Sequence, residues 1–283
     1  PLLEQADAIA LVSPLYWYDI SGQLKLAIDR FYANSTALRT PKKAVLLLTM
    51  EDEPTSVIRE KSDSSMAVGL RALAQGQGDA FASAGNSGAL VVGATTLVKR
   101  VRGVKRVSFA PIMPGMNGFF MLIDGGANVD CRPYHLFQFG LMGDAFARDL
   151  LGYAAPRVSL LSIGEEEGKG NSQVKEAYEL LKLAQNLNFV GNAEGRDIFT
   201  GDIDVVVCDG FVGNVVVKMS EGLASALVRM LKRLFTSGFL PALGGMLAKG
   251  AFKKFATTID YAEYGGAPLL GLQGLAIVCH GRS

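Results

Sequence analysis

The sequence predicts an α/β fold in which a mostly parallel sheet is covered by helices, and three observations predict it. One unit recurs along the chain: a short apolar run rich in β-branched residues, a Gly/Asn/Asp-rich turn, then a stretch with helical spacing of its apolar positions. Alternation of this kind belongs to parallel strands joined by helical crossovers. With 283 residues and 49% hydrophobic content, the chain has material for one large or two modest domains around a continuous core. Its three cysteines, Cys131, Cys208 and Cys279, stand far apart without a Cys-x-x-Cys pair. Neither a disulfide framework nor a zinc site is expected, and a reducing cytosol fits that usage.

In chain order, residues 8–12 read as a strand, 13–22 as a loop, 23–32 as a helix, 33–43 as a linker and 44–48 as a second strand. The apolar strand then gives way to Glu51-Asp52-Glu53-Pro54, which places a seam there and divides the chain into 1–50 and 51–283. Four units of one plan follow. Residues 79–82 lead into Ser83-Ala84-Gly85-Asn86-Ser87-Gly88 and a helix through Lys99. Residues 119–123 lead into Asp124-Gly125-Gly126-Ala127-Asn128, and Pro133 suits the first turn of the next helix, where its missing N–H is not needed. Residues 158–163 run into Gly164-Glu165-Glu166-Glu167-Gly168-Lys169-Gly170-Asn171, and 205–208 into Asp209-Gly210-Phe211-Val212-Gly213-Asn214, each before a helix.

Lys plus Arg (28) nearly balance Asp plus Glu (27), a formal charge of +1 that supplies no field for wrapping nucleic acid. Residues 1–10 carry Glu4 and Asp7 and lack a basic start followed by an apolar run, so no secretory signal is expected. The uncharged stretch 234–248 is interrupted by Gly238, Pro241, Gly244 and Gly245 and is too short to span a bilayer.

In parallel sheets the turns after the strands line the ligand crevice, so the four polar turns are candidates for one shared site. Glycine lets backbone N–H groups approach an anion, and a following helix N-terminus adds the favourable end of its dipole. Such turns also form with no ligand at all. Lys169, between two glycines, has the charge to neutralise a phosphate or an oxyanion, or to be simply solvated. Asn214, at the start of a predicted helix, reads as an N-cap, an oxyanion donor, or both. Asp124, Asp130, Glu165, Glu166, Glu167, Asp204 and Asp209 raise magnesium ligation as an alternative, yet their spacing specifies no metal. His135 and His280, the two histidines, are too few for a triad or cluster.

Residues 215–235 place Val216, Met219, Leu223, Leu227, Met230 and Leu234 at three-to-four spacing, with Lys218, Glu221, Arg229, Lys232 and Arg233 largely off the stripe. That pattern predicts a core-facing helix. After it, Phe235, Phe239, Leu240, Leu243, Met246, Leu247, Phe252 and Phe255 interleave with Lys249, Lys253 and Lys254. Such a lysine-edged apolar segment suits a dimer interface or an anionic membrane surface.

Several strings together resemble the bacterial phosphate acyltransferase family: Lys61-Ser62-Asp63-Ser64-Ser65-Met66, the run 83–90, Asp124-Gly125-Gly126-Ala127-Asn128-Val129-Asp130, the run 164–171, Gly191-Asn192-Ala193-Glu194-Gly195-Arg196-Asp197, the run 209–214, and Asp260-Tyr261-Ala262-Glu263-Tyr264-Gly265-Gly266-Ala267-Pro268-Leu269-Leu270-Gly271. The resemblance implies a homodimeric three-layer αβα fold like isocitrate and isopropylmalate dehydrogenases. The implied reaction moves a fatty acyl group from acyl carrier protein to inorganic phosphate, giving acyl-phosphate for phospholipid synthesis, with no cofactor. Carried over by position, Lys169 and Asn214 look like the catalytic pair. Ser83, Gly85, Asn86, Ser87, Gly88, Gly170, Asn171, Asp209 and Gly213 look like phosphate or substrate contacts. The family's peripheral membrane segment maps onto Phe239, Leu240, Leu243, Met246 and Leu247, for a cytoplasmic protein on the membrane surface. Lys99, Arg100, Arg102, Lys105 and Arg106 offer acidic acyl carrier protein a basic dock, or form a solvated turn.

The chain also departs from that family. An opening Asp-Ala-Met-Gly-Gly-Asp-type string and a final helix are missing, and Cys279 stands where a lysine is usual, so the domain is expected to be incomplete at both ends. Residues 1–49 instead resemble a fragment of a flavodoxin-like NAD(P)H:flavin oxidoreductase, in Ser13-Pro14-Leu15-Tyr16-Trp17-Tyr18 and Asp29-Arg30-Phe31-Tyr32. The flavin-phosphate loop of that family is absent, so flavin binding is not expected. An FMN-dependent oxidoreductase and an inactive membrane-associating chimera are the alternative functions.

Overall fold

The computed structural model describes residues 8–16, 19–20, 43–49, 64–259 and 266–279. The expected helix 23–32, most of the linker, the seam at 51–54, and parts of the strings at 61–66 and 260–271 lie outside them. The described strands are β1 (Ala8–Tyr16), β2 (Asp19–Ile20), β3 (Lys43–Thr49), β4 (Ala80–Ser83), β5 (Ser108–Phe109), β6 (Ile112–Gly115), β7 (Gly118–Ile123), β8 (Val158–Leu161), β9 (Phe189–Ala193), β10 (Val205–Val207), β11 (Ala267–Leu270) and β12 (Leu275–Val278). The described helices are α1 (Ser65–Ala74), α2 (Ser87–Gly93), α3 (Pro133–Asp149), α4 (Ser172–Lys182), α5 (Gly210–Phe235), α6 (Phe239–Leu247) and α7 (Lys249–Ile259). A wider turn, Ala94–Val98, extends α2 and ends at Lys99, whose φ is 71°. The chain divides into two compact units, one of Pro1–Pro111, Arg148–Gly152 and Gly266–Ser283, the other of Ile112–Ala147 and Tyr153–Gly265.

The first unit holds a sheet of order β2-β1-β4-β12-β11-β5, with β3 also on β1. β1 runs parallel to β3 and β4, and β12 parallel to β4, whereas β11 is antiparallel to β12 and β5. The short connection between β11 and β12 permits only a hairpin, which sets that antiparallel edge. Residues 13–22, expected as a loop, begin instead as strand: β1 continues to Tyr16, and β2 folds back on it with Leu15 opposite Ile20. Pro14 does not stop the strand, because pairing with β4 has already ended at Val12 opposite Ser83. Its missing N–H therefore opens no gap on that side. α1 is capped by Ser64, whose Oγ accepts from the Ala67 N–H at 3.3 Å, and it buries Met66, Leu70 and Leu73.

The second unit holds a sheet of order β6-β7-β10-β8-β9. β7, β10, β8 and β9 are mutually parallel, and the hairpin strand β6 is antiparallel. The three valines of β10, wholly buried, form its centre. One face carries Phe120, Leu122, Val206 and Cys208 in a cluster with Ile198, Ile203 and Val217. α3 begins at Pro133 as expected and approaches closely through its glycines. A side-chain carbon on Gly143 would lie 2.6 Å from Val205 Cγ1, and one on Gly140 2.7 Å from Leu181 Cδ2.

At the opposite end of these strands Arg157 and Asp204 tie β8 to β10. The Asp204 carboxylate accepts from the Arg157 backbone N–H at 2.8 Å, from Nε at 3.0 Å and from Nη2 at 2.9 Å. Burial pushes the Asp204 carboxyl upward, but the bonds and charge of Arg157 outweigh it and leave the group below its ordinary value of 3.8.

α5 differs from expectation at both ends of the argument. It starts at Gly210, with Asp209 as N-cap accepting from the Val212 N–H at 2.8 Å, so Asn214 is not the cap. Gly210 and Gly213 looked like turn residues. They are glycine because this turn of helix lies on the segment 124–128: a side-chain carbon on Gly213 would stand 1.8 Å from the Asp124 carbonyl oxygen, and one on Gly210 2.6 Å from that of Asn128. The expected core-facing stripe is corrected too. Val217 is buried, but Met219, Leu223, Leu227, Met230 and Leu234 are exposed. At 26 residues the helix is about 39 Å long, so it runs beyond the short strands that cover its first turns. By length and composition alone α5 could cross a membrane. α6 packs back on its end through Gly245 against Phe235, and α7 through Phe252, whose ring meets that of Phe235 edge-on at 4.5 Å.

Two outcomes follow for stability. Gly213→Ala should cost about 3 kcal/mol or more by overpacking. Gly222→Ala, where nothing lies within 4 Å, should add about 0.5–1 kcal/mol by restricting the unfolded chain; urea titrations that moved both midpoints alike would contradict this geometry. Depression of the Asp204 pKa adds stability above the unfolded-state value, lost as pH falls through the folded-state value. The urea midpoint should therefore drop below about pH 4, and Asp204→Asn should lower it at neutral pH while flattening that acid slope.

Candidate active site

Four parallel strands of the second unit release the chain at one edge, so the turns after β7, β10, β8 and β9 lie side by side. The turn after β7 is organised by Asp124, which is fully buried. Its Oδ1 accepts from the N–H groups of Gly126 at 3.1 Å and Ala127 at 3.0 Å; its Oδ2 accepts from the N–H and the Nδ2 of Asn128, both at 2.7 Å. Burial raises the Asp124 carboxyl pKa, and the donors, Ala127 foremost, oppose that rise. Against this turn sits the start of α5. Gly126, at φ +132°, leaves room for Asn214, whose Cβ would be 3.4 Å from any side-chain carbon there. Asn214 is exposed to solvent one turn into the helix.

On neighbouring β8 the chain enters the loop that carries Lys169. The Glu166 carbonyl accepts twice, from the Lys169 N–H at 3.0 Å and from Asn192 Nδ2 at 2.9 Å. Gly164 leaves space for the Lys169 stem, since a side-chain carbon there would meet Lys169 Cγ at 2.8 Å. Gly170 takes φ +102° with Ser162 Oγ 3.0 Å from where a side-chain carbon would stand. Asn171 caps α4 by accepting from the Val174 N–H at 2.9 Å. Lys169 is exposed. The flanking glutamates are engaged elsewhere: Glu165 lies 3.8 Å from Arg196, and Glu167 bonds Lys182.

The structure thus brings Asp209, Gly213 and Asn214 onto the Asp124 turn, and Lys169, Gly170 and Asn171 onto the adjacent turn. Ser83, Gly85, Asn86, Ser87 and Gly88 belong to the first unit. There Ser83 is buried, with its Oγ accepting from the Gly85 N–H at 3.2 Å and its carbonyl from the Cys279 N–H at 2.8 Å. Asn86 caps α2, accepting from the Ala89 N–H at 3.0 Å.

Five of the seven acidic residues considered for magnesium have protein partners: Asp124 in its turn, Asp204 on Arg157, Asp209 at a cap, Glu165 and Glu167 in ion pairs. Among the described residues no three His, Cys, Asp or Glu side chains converge as metal ligands. Burial pushes the Cys279 thiol up to about 11 and that of Cys208 well above its ordinary value, so neither supplies a thiolate nucleophile near neutral pH. Lys99, Arg100, Arg102, Lys105 and Arg106 are all exposed. So are Leu240 (76%), Leu243 (46%), Met246 (72%) and Leu247 (84%), while the side chain of Phe239 lies outside the described residues.

Asn192 and Ser162 are not among the residues that the sequence singles out for the site. Asn192 stands within a motif string, but nothing in its spacing shows that it reaches the Glu166 carbonyl across the sheet.

Comparison with known proteins bears on the family and the fold. The family model described as "Fatty acid synthesis protein" matches residues 38–283, beginning upstream of the expected seam. The phosphate acyltransferase of Nitratidesulfovibrio vulgaris (strain DP4) is 62% identical over 234 residues, 83% of this chain and 68% of the relative. That of Citrifermentans bemidjiense is 47% identical over 283 residues, 100% of this chain and 76% of the relative, so its alignment includes residues 1–49. Among solved structures, a branched-chain phosphotransacylase from Enterococcus faecalis V583 superposes with a TM-score of 0.59 at 13% identity, covering 96% of this chain and 91% of its own. A phosphotransacetylase from Streptococcus pyogenes gives a TM-score of 0.53 at 15% identity, over 77% and 82%. These two bear on the fold alone, and they agree with its α/β class. By the extent of the family match and the identity of its relatives, the chain belongs to the phosphate acyltransferase family.

Proposed function

We propose that this chain transfers a fatty acyl group from acyl carrier protein to inorganic phosphate, yielding acyl-phosphate for phospholipid synthesis. The observation that carries the reading is 62% identity to a relative named phosphate acyltransferase. The adjacent turns bearing Lys169 and Asn214 add support. A phosphate oxygen attacks the thioester carbonyl carbon, the carbonyl oxygen becomes an oxyanion, and the C–S bond breaks to release the carrier thiol after protonation. Phosphate is itself the nucleophile, so no enzyme side chain need be acylated.

In this reading Lys169 holds phosphate against the thioester, and Asn214 donates to the developing oxyanion. Lys169 is exposed on a loop anchored at several points, and Asn214 is exposed one turn into α5, beside Gly126 of the Asp124 turn. Gly170, Asn171, Asp209 and Gly213 shape these turns. Ser83, Gly85, Asn86, Ser87 and Gly88 are assigned to phosphate or thioester contact on the order of the family's motifs. The finer fold relationship, to the three-layer αβα fold of isocitrate and isopropylmalate dehydrogenases, belongs to the same reading, as do a cytoplasmic location and peripheral contact with anionic membrane.

α6 supplies the surface for that contact through Leu240, Leu243, Met246 and Leu247, with Lys249, Lys253 and Lys254 following on α7. The exposed stripe of α5 is apolar enough to serve the homodimer.

With acyl carrier protein thioester and phosphate as substrates and released thiol as the signal, Lys169→Ala and Asn214→Ala should each lose about 100-fold or more in kcat; wild-type rates in both folded variants would dismiss the roles. Leu240→Glu/Leu247→Glu should weaken binding to anionic vesicles at least about tenfold, with light scattering still giving a dimer mass. Unchanged vesicle affinity would refute the membrane contact, and a monomeric wild-type mass the dimer.

A further inference from the structure

The loop that carries Lys169 is held from the neighbouring strand by a side chain that no motif assigned. Asn192 lies on β9, its side chain nine-tenths buried, on the same face of the sheet as Leu160, its partner in register. Its Nδ2 donates to the Glu166 carbonyl at 2.9 Å, and the same carbonyl accepts from the Lys169 N–H at 3.0 Å. One acceptor therefore closes the turn that presents Lys169 and fastens that turn to the sheet. The bond is across 26 positions of sequence, so the loop takes its place from β9 and not only from its own glycines. Beneath it, Asn192 Oδ1 and Ser162 Oγ are both buried without a hydrogen-bond partner. The nitrogen is thus the amide atom of Asn192 that the folded chain engages, through the Glu166 carbonyl.

We propose that Asn192 is a positioning residue for acyl transfer, setting through the Glu166 carbonyl the point from which the Lys169 ammonium meets phosphate. The proposal rests on the reading of Lys169 as the phosphate-holding residue. Arg196, on the chain following β9, adds a second and looser tie by its approach to Glu165 at 3.8 Å. Both ends of the arrangement sit on elements of one unit, so it needs no rearrangement of the chain to act.

The test uses the intact chain and inorganic phosphate as probe. Acylation of the Lys169 Nζ by an amine-reactive ester is followed by mass spectrometry against phosphate concentration, for wild type, Asn192→Ser and Asn192→Asp. Both variants remove the amide donor. In wild type phosphate should protect Lys169. In the variants half-protection should need at least tenfold more phosphate, and the KM for phosphate should rise by a similar factor while the thermal midpoint of the folded protein survives. Protection in the variants at the wild-type concentration overturns the role of Asn192 and leaves that of Lys169 standing. Absence of protection in wild type overturns the reading of Lys169, and the proposal with it. If neither variant folds, Asn192 is a structural residue and the proposal fails.

Discussion

Removing a carboxylate from water is tolerated only when its oxygens are fully met by donors, and this requirement at Asp124 governs the edge of the second unit. Three backbone N–H groups and one side-chain amide converge on the two oxygens and wind the chain after β7 into a compact turn. Removing a donor from such a group leaves a buried oxygen without its partner, at a cost of about 1–3 kcal/mol. The turn in turn fixes where α5 can begin. The carbonyl oxygens of Asp124 and Asn128 occupy the space that side chains at 213 and 210 would need, so glycine at both places lets the helix backbone close on the turn. Asn214 owes its position to this close approach.

The adjacent loop is held by a different means. Its three consecutive glutamates would repel one another and compete for Lys169 if left to themselves. Instead Arg196 and Lys182 draw Glu165 and Glu167 toward β9 and α4, and the Glu166 carbonyl is taken by Asn192. Exposed ion pairs of this sort are individually worth little, about 0–1 kcal/mol, so their effect here is directional. They turn the carboxylates of Glu165 and Glu167 aside, while Glu166 Oε2 stays by the Lys169 stem, both within 3.0 Å of where a side-chain carbon on Gly164 would stand. On the next turn the N-terminus of α5 is capped from within the chain, by the Asp209 carboxylate on the Val212 N–H and by the Asn128 carbonyl on the Gly210 N–H.

The arm formed by α5, α6 and α7 follows another logic. Its root is built into the sheet through Gly210, Gly213 and Val217, while its outer length exposes Met219, Leu223, Met230 and Leu234. Phe235 knits the three helices together by contact with Gly245 and Phe252. An apolar stripe of this length facing water has the character of a surface meant to be covered.

Much of this was legible in the sequence. The α/β class, the strands at 119–123 and 205–208, the helix opening at Pro133 and the polar turns with Lys169 among them all follow from local chemistry: β-branched runs, glycine and asparagine at turns, and the fixed φ of proline. The sequence places the start of α5 five residues late, because Gly210 and Gly213 are glycine for a tertiary reason, the carbonyls of 124 and 128 lying against them. The stripe from Met219 to Leu234 reads as core-facing in the sequence because periodicity reports that a helix has an apolar face and not what covers it. Asn192 could not be assigned because its partner is the Glu166 carbonyl on another strand's loop. The residues by themselves determined which segments are strands, helices and turns, since those depend on neighbours a few positions away. Which turns meet, which apolar face stays in water and which amide holds the lysine loop were decided only in the folded chain, where distant backbone groups come within hydrogen-bonding and van der Waals reach.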